Sequence, residues 1–197
     1  MSFNNISRVL IILASILIVI PSLFIPIVIS NANIQSDELQ NNFNLDISNS
    51  IFKWPIPGYT RISSYFGKRV SPTNGASSYH EGIDIPAPSG TALIAPYNSQ
   101  VTFIGFNGSG GCTIILKCSN LEFIYHHVNP KYIVNVGDFV STGQIIGQVG
   151  PKYVYGIKGN VYKDSNGKPT NGATTGPHLH FTIKKDGKAV NPLNYFS

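Results

Sequence analysis

Gly176-Pro177-His178-Leu179-His180-Phe181 alternates polar and apolar side chains with a period of two. On a strand, residues at i and i+2 share a face. Leu179 and Phe181 therefore turn toward a core, and His178 and His180 stand side by side on the opposite face. Their Cα atoms are then about 6.6 Å apart. At that spacing one imidazole holds a metal while the other reaches whatever is bound to it. Gly176-Pro177 allows close backbone approach and fixes the entry of the chain. Two histidines alternating with apolar partners would make a poor core, so this stretch reads as a functional strand.

The same strand chemistry extends outward. From about Phe52 onward helix signals nearly vanish, and Gly and Pro punctuate short β-branched and aromatic runs. Strands are expected at 61–65, 92–95, 100–106, 113–117, 122–127, 145–149 and 178–184. They are separated by Asn-Gly, Ser-Gly, Asp-Gly and Ser-Asn turn pairs. Cys118-Ser119-Asn120-Leu121 reads as a hairpin. The expected class is all-β, a folded antiparallel sheet or sandwich. The stretch 151–173 breaks the rhythm with Lys152, Lys158, Lys163 and Lys168 among glycines. It reads as a long loop with room for a small hairpin, and long loops in compact domains are more often functional than idle.

All five histidines fall in three clusters. His178 and His180 form one. His80 and Asp84, in His80-Glu81-Gly82-Ile83-Asp84, form the second. The third is His126-His127. Imidazole and carboxylate are the ligands of catalytic zinc, which keeps three protein ligands and one open position, so one metal site built from distant segments is expected. His80-Glu81-x-x-Asp84 mimics a helical zinc motif in which Glu81 would be the general base. Gly82, Ile83, Ile85 and Pro86 argue against that helix. Fully extended, His80 and Asp84 would lie about 13 Å apart, so the chain must curl at Gly82, leaving Glu81 pointing away. On a strand only one of His126 and His127 faces the site. Spacing leaves the choice open, and an arrangement with Tyr125 and His127 toward a polar cleft is preferred.

The N-terminal part differs in kind. Val9–Ile29 is an uncharged run of 21 residues, long enough to cross a bilayer core. It reads as an anchor, or as a signal segment cleaved near Ser30-Asn31-Ala32. Arg8 before it and Asp37 and Glu38 after it keep the N-terminus cytoplasmic. The expected organisation is a membrane anchor or signal over 1–30, a polar linker over 31–51 and one domain over 52–197. The domain would face outside the cytoplasm, tethered or secreted. The formal charge of +5 suits an anionic partner such as a cell wall or membrane surface. No basic run interleaved with aromatics argues for nucleic acid. Cys112 and Cys118 bound a single strand about 20 Å long. A disulfide needs Cα atoms within about 7 Å, so free thiols are expected.

These motifs together resemble the lysostaphin-type zinc endopeptidases of peptidoglycan. The resemblance runs through Phe66-Gly67-Lys68-Arg69, His80-x-Gly82-Ile83-Asp84-Ile85, Gly90-Thr91, Tyr125-His126-His127 and Val136-Gly137-Asp138. It continues through Gly143-Gln144-Ile145-Ile146-Gly147 and Gly176–Phe181 to Val190-Asn191-Pro192-Leu193. It implies that His80, Asp84 and His180 bind one Zn2+ per chain, and that His127 and His178 are the catalytic histidines. The implied activity is hydrolysis of peptide stems or cross-bridges of bacterial cell wall. A catalytically inactive wall-binding or hydrolase-activator module on the same fold is the alternative. A third reading is the helical zincin with Glu81 as base. His126 is an extra imidazole relative to the family pattern. The 151–173 insertion is longer than usual and is expected at the cleft rim, shaping which cross-bridge enters.

Overall fold

Ser119, in the left-handed region at φ 53°, folds Cys118 directly back onto Leu121. That hairpin is the middle of the main sheet. The computed structural model describes residues 52–71 and 76–196. The apolar run at 9–29 and the polar segment after it lie outside them. Among the described residues, no helix is long and apolar enough to cross a membrane.

The described strands are β1 (Gly67–Lys68), β2 (Tyr79–His80), β3 (Ile83–Pro86), β4 (Ala92–Ile94), β5 (Ser99–Phe106), β6 (Cys112–Cys118), β7 (Leu121–His126), β8 (Phe139–Val140), β9 (Ile145–Gln148), β10 (His178–Lys185) and β11 (Lys188–Val190). The main sheet is antiparallel and runs β11-β10-β7-β6-β5-β8. β3 and β11 share one edge of β10, pairing with His178–Phe181 and Ile183–Lys185 respectively. β4 and β9 make a second, two-stranded sheet, and β1 and β2 a third.

The period of two is carried across the strands by register. One row of the main sheet reads Ile83, Phe181, Tyr125, Ile114, Ile104 from β3 to β5. The next core row reads Ile183, Phe123, Leu116, Val101. All but Ile104 are buried, as are Leu93 and Ile146 of the β4–β9 pair. The Gly147 backbone lies close to Ile114: a Cβ there would stand 2.9 Å from its Cδ1. Each such side chain contributes about 1.5–3 kcal/mol on burial. The intervening rows face the other way. One of them places Asp84 (β3), His180 (β10) and His126 (β7) in a line, since His180 is opposite both.

The expected strands on β4–β7, β9 and β10 are present. The expected strand at 61–65 is reduced to a single bridge, Ser64 to Asp84 of β3. The Pro151–Ala173 segment is a loop with two bridges, Tyr153 to Thr170 and Lys163 to Pro169. Cys112 and Cys118 are free and buried at opposite ends of β6.

Tyr125 corrects one expectation. It does not face a cleft with His127 but is fully buried in the core, donating its hydroxyl to the Ile94 carbonyl at 2.7 Å. Tyr125→Phe strands that carbonyl, so a loss of about 1–3 kcal/mol is expected. A urea titration checks this, and metal content should not change.

Candidate active site

Three elements bring the polar row together. The chain curls between β2 and β3, where Gly82 packs against β10 so tightly that a Cβ would collide with the Phe181 carbonyl. The curl brings His80 Nε2 to 3.1 Å from Asp84 Oδ1. β10 supplies His180, whose Nδ1 lies 3.0 Å from that oxygen and 3.0 Å from His80 Nε2. The ligand-type atoms of His80, Asp84 and His180 thus form a compact triangle. Glu81 is exposed and the segment is strand–turn–strand, so a helical zinc motif with Glu81 as base does not form.

Hydrogen bonding outside the triangle assigns the protons. His80 Nδ1 is 2.9 Å from the Tyr65 carbonyl, which only accepts, so the proton is there and Nε2 carries a lone pair. With the His180 proton on Nε2, donated to Thr182 Oγ1 at 3.0 Å, its Nδ1 is bare as well. Two nitrogen lone pairs and a carboxylate oxygen then face one another, an arrangement that repels unless a cation sits among them. Four-coordinate zinc, with bonds of about 2.0–2.1 Å, sets its ligand atoms about 3.3 Å apart. The triangle therefore fits such an ion.

Arg69, braced by Ser64, holds the carboxylate from behind. Arg69 Nη1 donates to Asp84 Oδ2 at 3.0 Å and to Ser64 Oγ at 2.6 Å, leaving Oδ1 for the centre. Burial works to raise the Asp84 carboxyl. Protons shared with His180 and His80, and positive charge on His180 and His178 when they are protonated, outweigh it and hold the group well below the usual carboxylate range; a cation among the same three atoms would do the same with the two nitrogens bare. Burial pushes the His180 imidazole down despite Asp84, which keeps it neutral, the form that ligates.

His178 and His127 stand beside the triangle. His178 Nδ1 is 2.9 Å from the Gly176 carbonyl, which leaves Nε2 bare, 3.6 Å from Asp84 Oδ1. His127 Nδ1 is 2.7 Å from the Asn171 carbonyl, so its Nε2 is also bare. The two rings are 4.7 Å apart between centroids. Burial, reinforced by His178 and His180, pushes His127 well below its ordinary range.

His127 reaches the site by breaking strand alternation. β7 ends at His126, and His127 takes a left-handed φ of 59°, a conformation that costs a non-glycine residue free energy. Its neighbours therefore occupy opposite faces, Tyr125 in the core and His126 on the cleft side, yet His127 also joins the cleft. His126 is anchored by Nδ1 to Thr113 Oγ1 at 2.9 Å, with its ring 5.0 Å from that of His180. Arg69, Ser64, Thr182 and Asn171 make hydrogen bonds to these side chains, and sequence reading assigned none of them a role. Only Arg69 carried a signal, within Phe66-Gly67-Lys68-Arg69.

Two clefts of about 380 and 420 Å3 open on either side of the centre and share Arg69, His127, Ala173 and His180. The first runs over the sheet face past Ile124, Glu122 and Lys184. The second passes Thr175–His178.

Comparison with known proteins agrees with this geometry. The profile of Peptidase family M23 matches residues 78–192. The chain is 33% identical over 137 residues to the DD-carboxypeptidase/endopeptidase Mpg of Neisseria gonorrhoeae, covering 69% of this chain and 27% of that protein. The chain thus spans about a quarter of that relative's length. Among solved structures, the catalytic domain of the antimicrobial peptidase lysostaphin from Staphylococcus simulans aligns with a TM-score of 0.54 at 27% identity, covering 70% of this chain and 91% of that one. A zinc-containing peptidase from Vibrio cholerae aligns with a TM-score of 0.56 at 25% identity, covering 72% and 39%.

Proposed function

This chain belongs to peptidase family M23, and we propose that it is a zinc-dependent endopeptidase hydrolysing peptide stems or cross-bridges of bacterial peptidoglycan. The observation that carries the reading is the convergence of His80 Nε2, Asp84 Oδ1 and His180 Nδ1 beside two imidazoles with bare Nε2 atoms. His80, Asp84 and His180 are the metal ligands in this reading, one zinc per chain, and His127 and His178 the catalytic histidines. Two neutral imidazoles and one carboxylate leave the centre a net positive charge. Bound there, zinc polarises a carbonyl and lowers the pKa of water toward about 7.

The chain's own residues do the rest. A bare imidazole Nε2 accepts the proton released as water adds to the amide carbon, and returns it to the departing nitrogen as the C–N bond breaks. A carboxylate and an amine result. The Gly176 and Asn171 carbonyls keep the Nδ1 protons of the pair in place throughout. The clefts on both sides of the centre suit a substrate that continues past the cut bond in both directions. An inactive wall-binding module would need none of these five side chains in register.

The polar segment at 31–51 is a linker and 52–197 the peptidase domain in this reading, supported by the compact unit Ile51–Ser197. The apolar run at 9–29 is its membrane anchor or signal, placing the domain outside the cytoplasm.

The test is to incubate the full-length protein with purified peptidoglycan and read new amino termini. Chelator-sensitive release of new amines supports the proposal, and the exposed terminus identifies the bond. One zinc per chain without any cleavage would favour the wall-binding alternative. Since burial lowers His127, the acid limb of kcat/KM should fall below the ordinary imidazole value of about 6.5. Lowering the pH protonates Nε2 and removes the acceptor, so a midpoint above 7 would mean that a group other than the His127 imidazole sets the limb.

A further inference from the structure

Asn171 lies at the exit of the Pro151–Ala173 insertion and is fully buried. Its backbone carbonyl accepts the Nδ1 proton of His127 at 2.7 Å. Its side chain is engaged elsewhere: Oδ1 accepts from the Cys112 amide at 2.7 Å, and Nδ2 donates to the Val128 carbonyl at 3.0 Å. Cys112 and Val128 are themselves joined, Val128 N donating to the Cys112 carbonyl at 2.9 Å. The Asn171 amide caps the other backbone group of each, like a strand one residue long. It thereby ties the insertion to the start of β6 and to the residue after His127.

The niche is shaped around this side chain. A Cβ on Gly111 would collide with the Asn171 carbonyl, and one on Gly150 would stand 2.6 Å from Nδ2. The insertion is anchored on its other side by Asn171 N donating to the Lys152 carbonyl at 2.8 Å. The His127 backbone is held in its left-handed turn by its own N–H to Gly110 and by Gly150 N to its carbonyl, at 2.8 and 2.9 Å. Backbone contacts thus fix where His127 is. The Asn171 carbonyl determines which of its nitrogens carries the proton and where the ring points.

We propose that Asn171 is a positioning residue for His127, holding the carbonyl that keeps the imidazole proton on Nδ1 and Nε2 bare toward the cleft. The insertion is then part of the catalytic apparatus through its last turn, whatever its outer part does at the rim. This rests on the reading of His127 as proton acceptor. Alanine at 171 leaves the Cys112 amide and Val128 carbonyl unpaired and frees the backbone carbonyl to move. Aspartate keeps the acceptor for Cys112 but loses the donor to Val128.

The experiment compares full-length, zinc-loaded wild type, Asn171→Ala, Asn171→Asp, and a variant whose loop-tip residues 156–159 are replaced by a Gly-Ser turn, leaving the Asn160 and Tyr162 contacts to Thr170 in place. Imidazole nitrogen NMR reads the His127 tautomer. Kinetics on a soluble cross-linked stem peptide give kcat and KM, and zinc is counted per chain. Wild type should show a single Nδ1–H tautomer. Asn171→Ala should show a mixture, with kcat lower by about 10–100-fold, as for other outer partners of an active-site ligand, and with KM and zinc unchanged. Asn171→Asp should be intermediate and serves if the alanine variant fails to fold. The shortened loop should keep the wild-type tautomer and kcat. An unchanged tautomer in either Asn171 variant would overturn the proposal, even if activity fell, since the effect would then be structural. Loss of zinc would overturn it too. A wild type without turnover would sink the peptidase reading instead, and the tautomer comparison would still decide the role of Asn171.

Discussion

His180→Ala is expected to weaken zinc binding by about 10²–10³-fold and to abolish hydrolysis. His180 Nδ1 is 3.0 Å from both His80 Nε2 and Asp84 Oδ1, so its loss opens one corner of the triangle. Zinc binding of about 10–16 kcal/mol at four-ligand sites apportions to about 2.5–4 kcal/mol per ligand. The fold should survive, because His180 faces the cleft while its neighbours Leu179 and Phe181 fill the core. Metal analysis after dialysis against a weak chelator, paired with a thermal melt, checks both parts. Retention of one zinc per chain would remove His180 from the ligand set.

The opposite pattern is expected of His178→Ala: one zinc retained and kcat lowered by about 10²–10⁴-fold, the usual share of a general acid–base group. His178 Nε2 is 3.6 Å from Asp84 Oδ1 and outside the triangle. His127→Ala should behave alike. The double variant should be little worse than either single one, since residues acting as a unit are not additive. Parallel zinc and kcat measurements on the three variants test this. A His178 variant that loses its metal would make that residue a ligand and return the acid–base role to His127 alone.

Sequence and structure agree wherever side chains obey a local period. Leu179 and Phe181 against His178 and His180 announce both strand and site, and β-branched Ile83 and Ile85 around Gly82 announce a curl rather than a helix. The reading fails where the backbone leaves that period. Tyr125 and His127 should share a face, but the left-handed turn at His127 sends the first into the core and the second into the cleft. Nothing in Tyr125-His126-His127 marks that turn, because it is imposed by Gly110 and Gly150 from other segments. Asn171 was equally hidden: its partner His127 is 44 residues away, and Asn-Gly signals only a loop. The two-residue strands β1 and β8 are too short to show a period at all.

The pairing of β3 along a sheet edge has a kinetic side. His80 and His180 meet across 100 residues of chain, and β3 is held by only four residues of β10. Closing so long a loop costs entropy before any contact rewards it. The β6–β7 hairpin is closed by two residues and is expected to form on a far shorter timescale. The expected order of assembly is therefore from the centre outward, with the His80–Asp84–His180 cluster completed among the last steps. A chain in which β3 has not docked lacks Ile83 and Ile85 of the core together with Asp84 of the cluster, and metal capture would act as the latch that ends assembly.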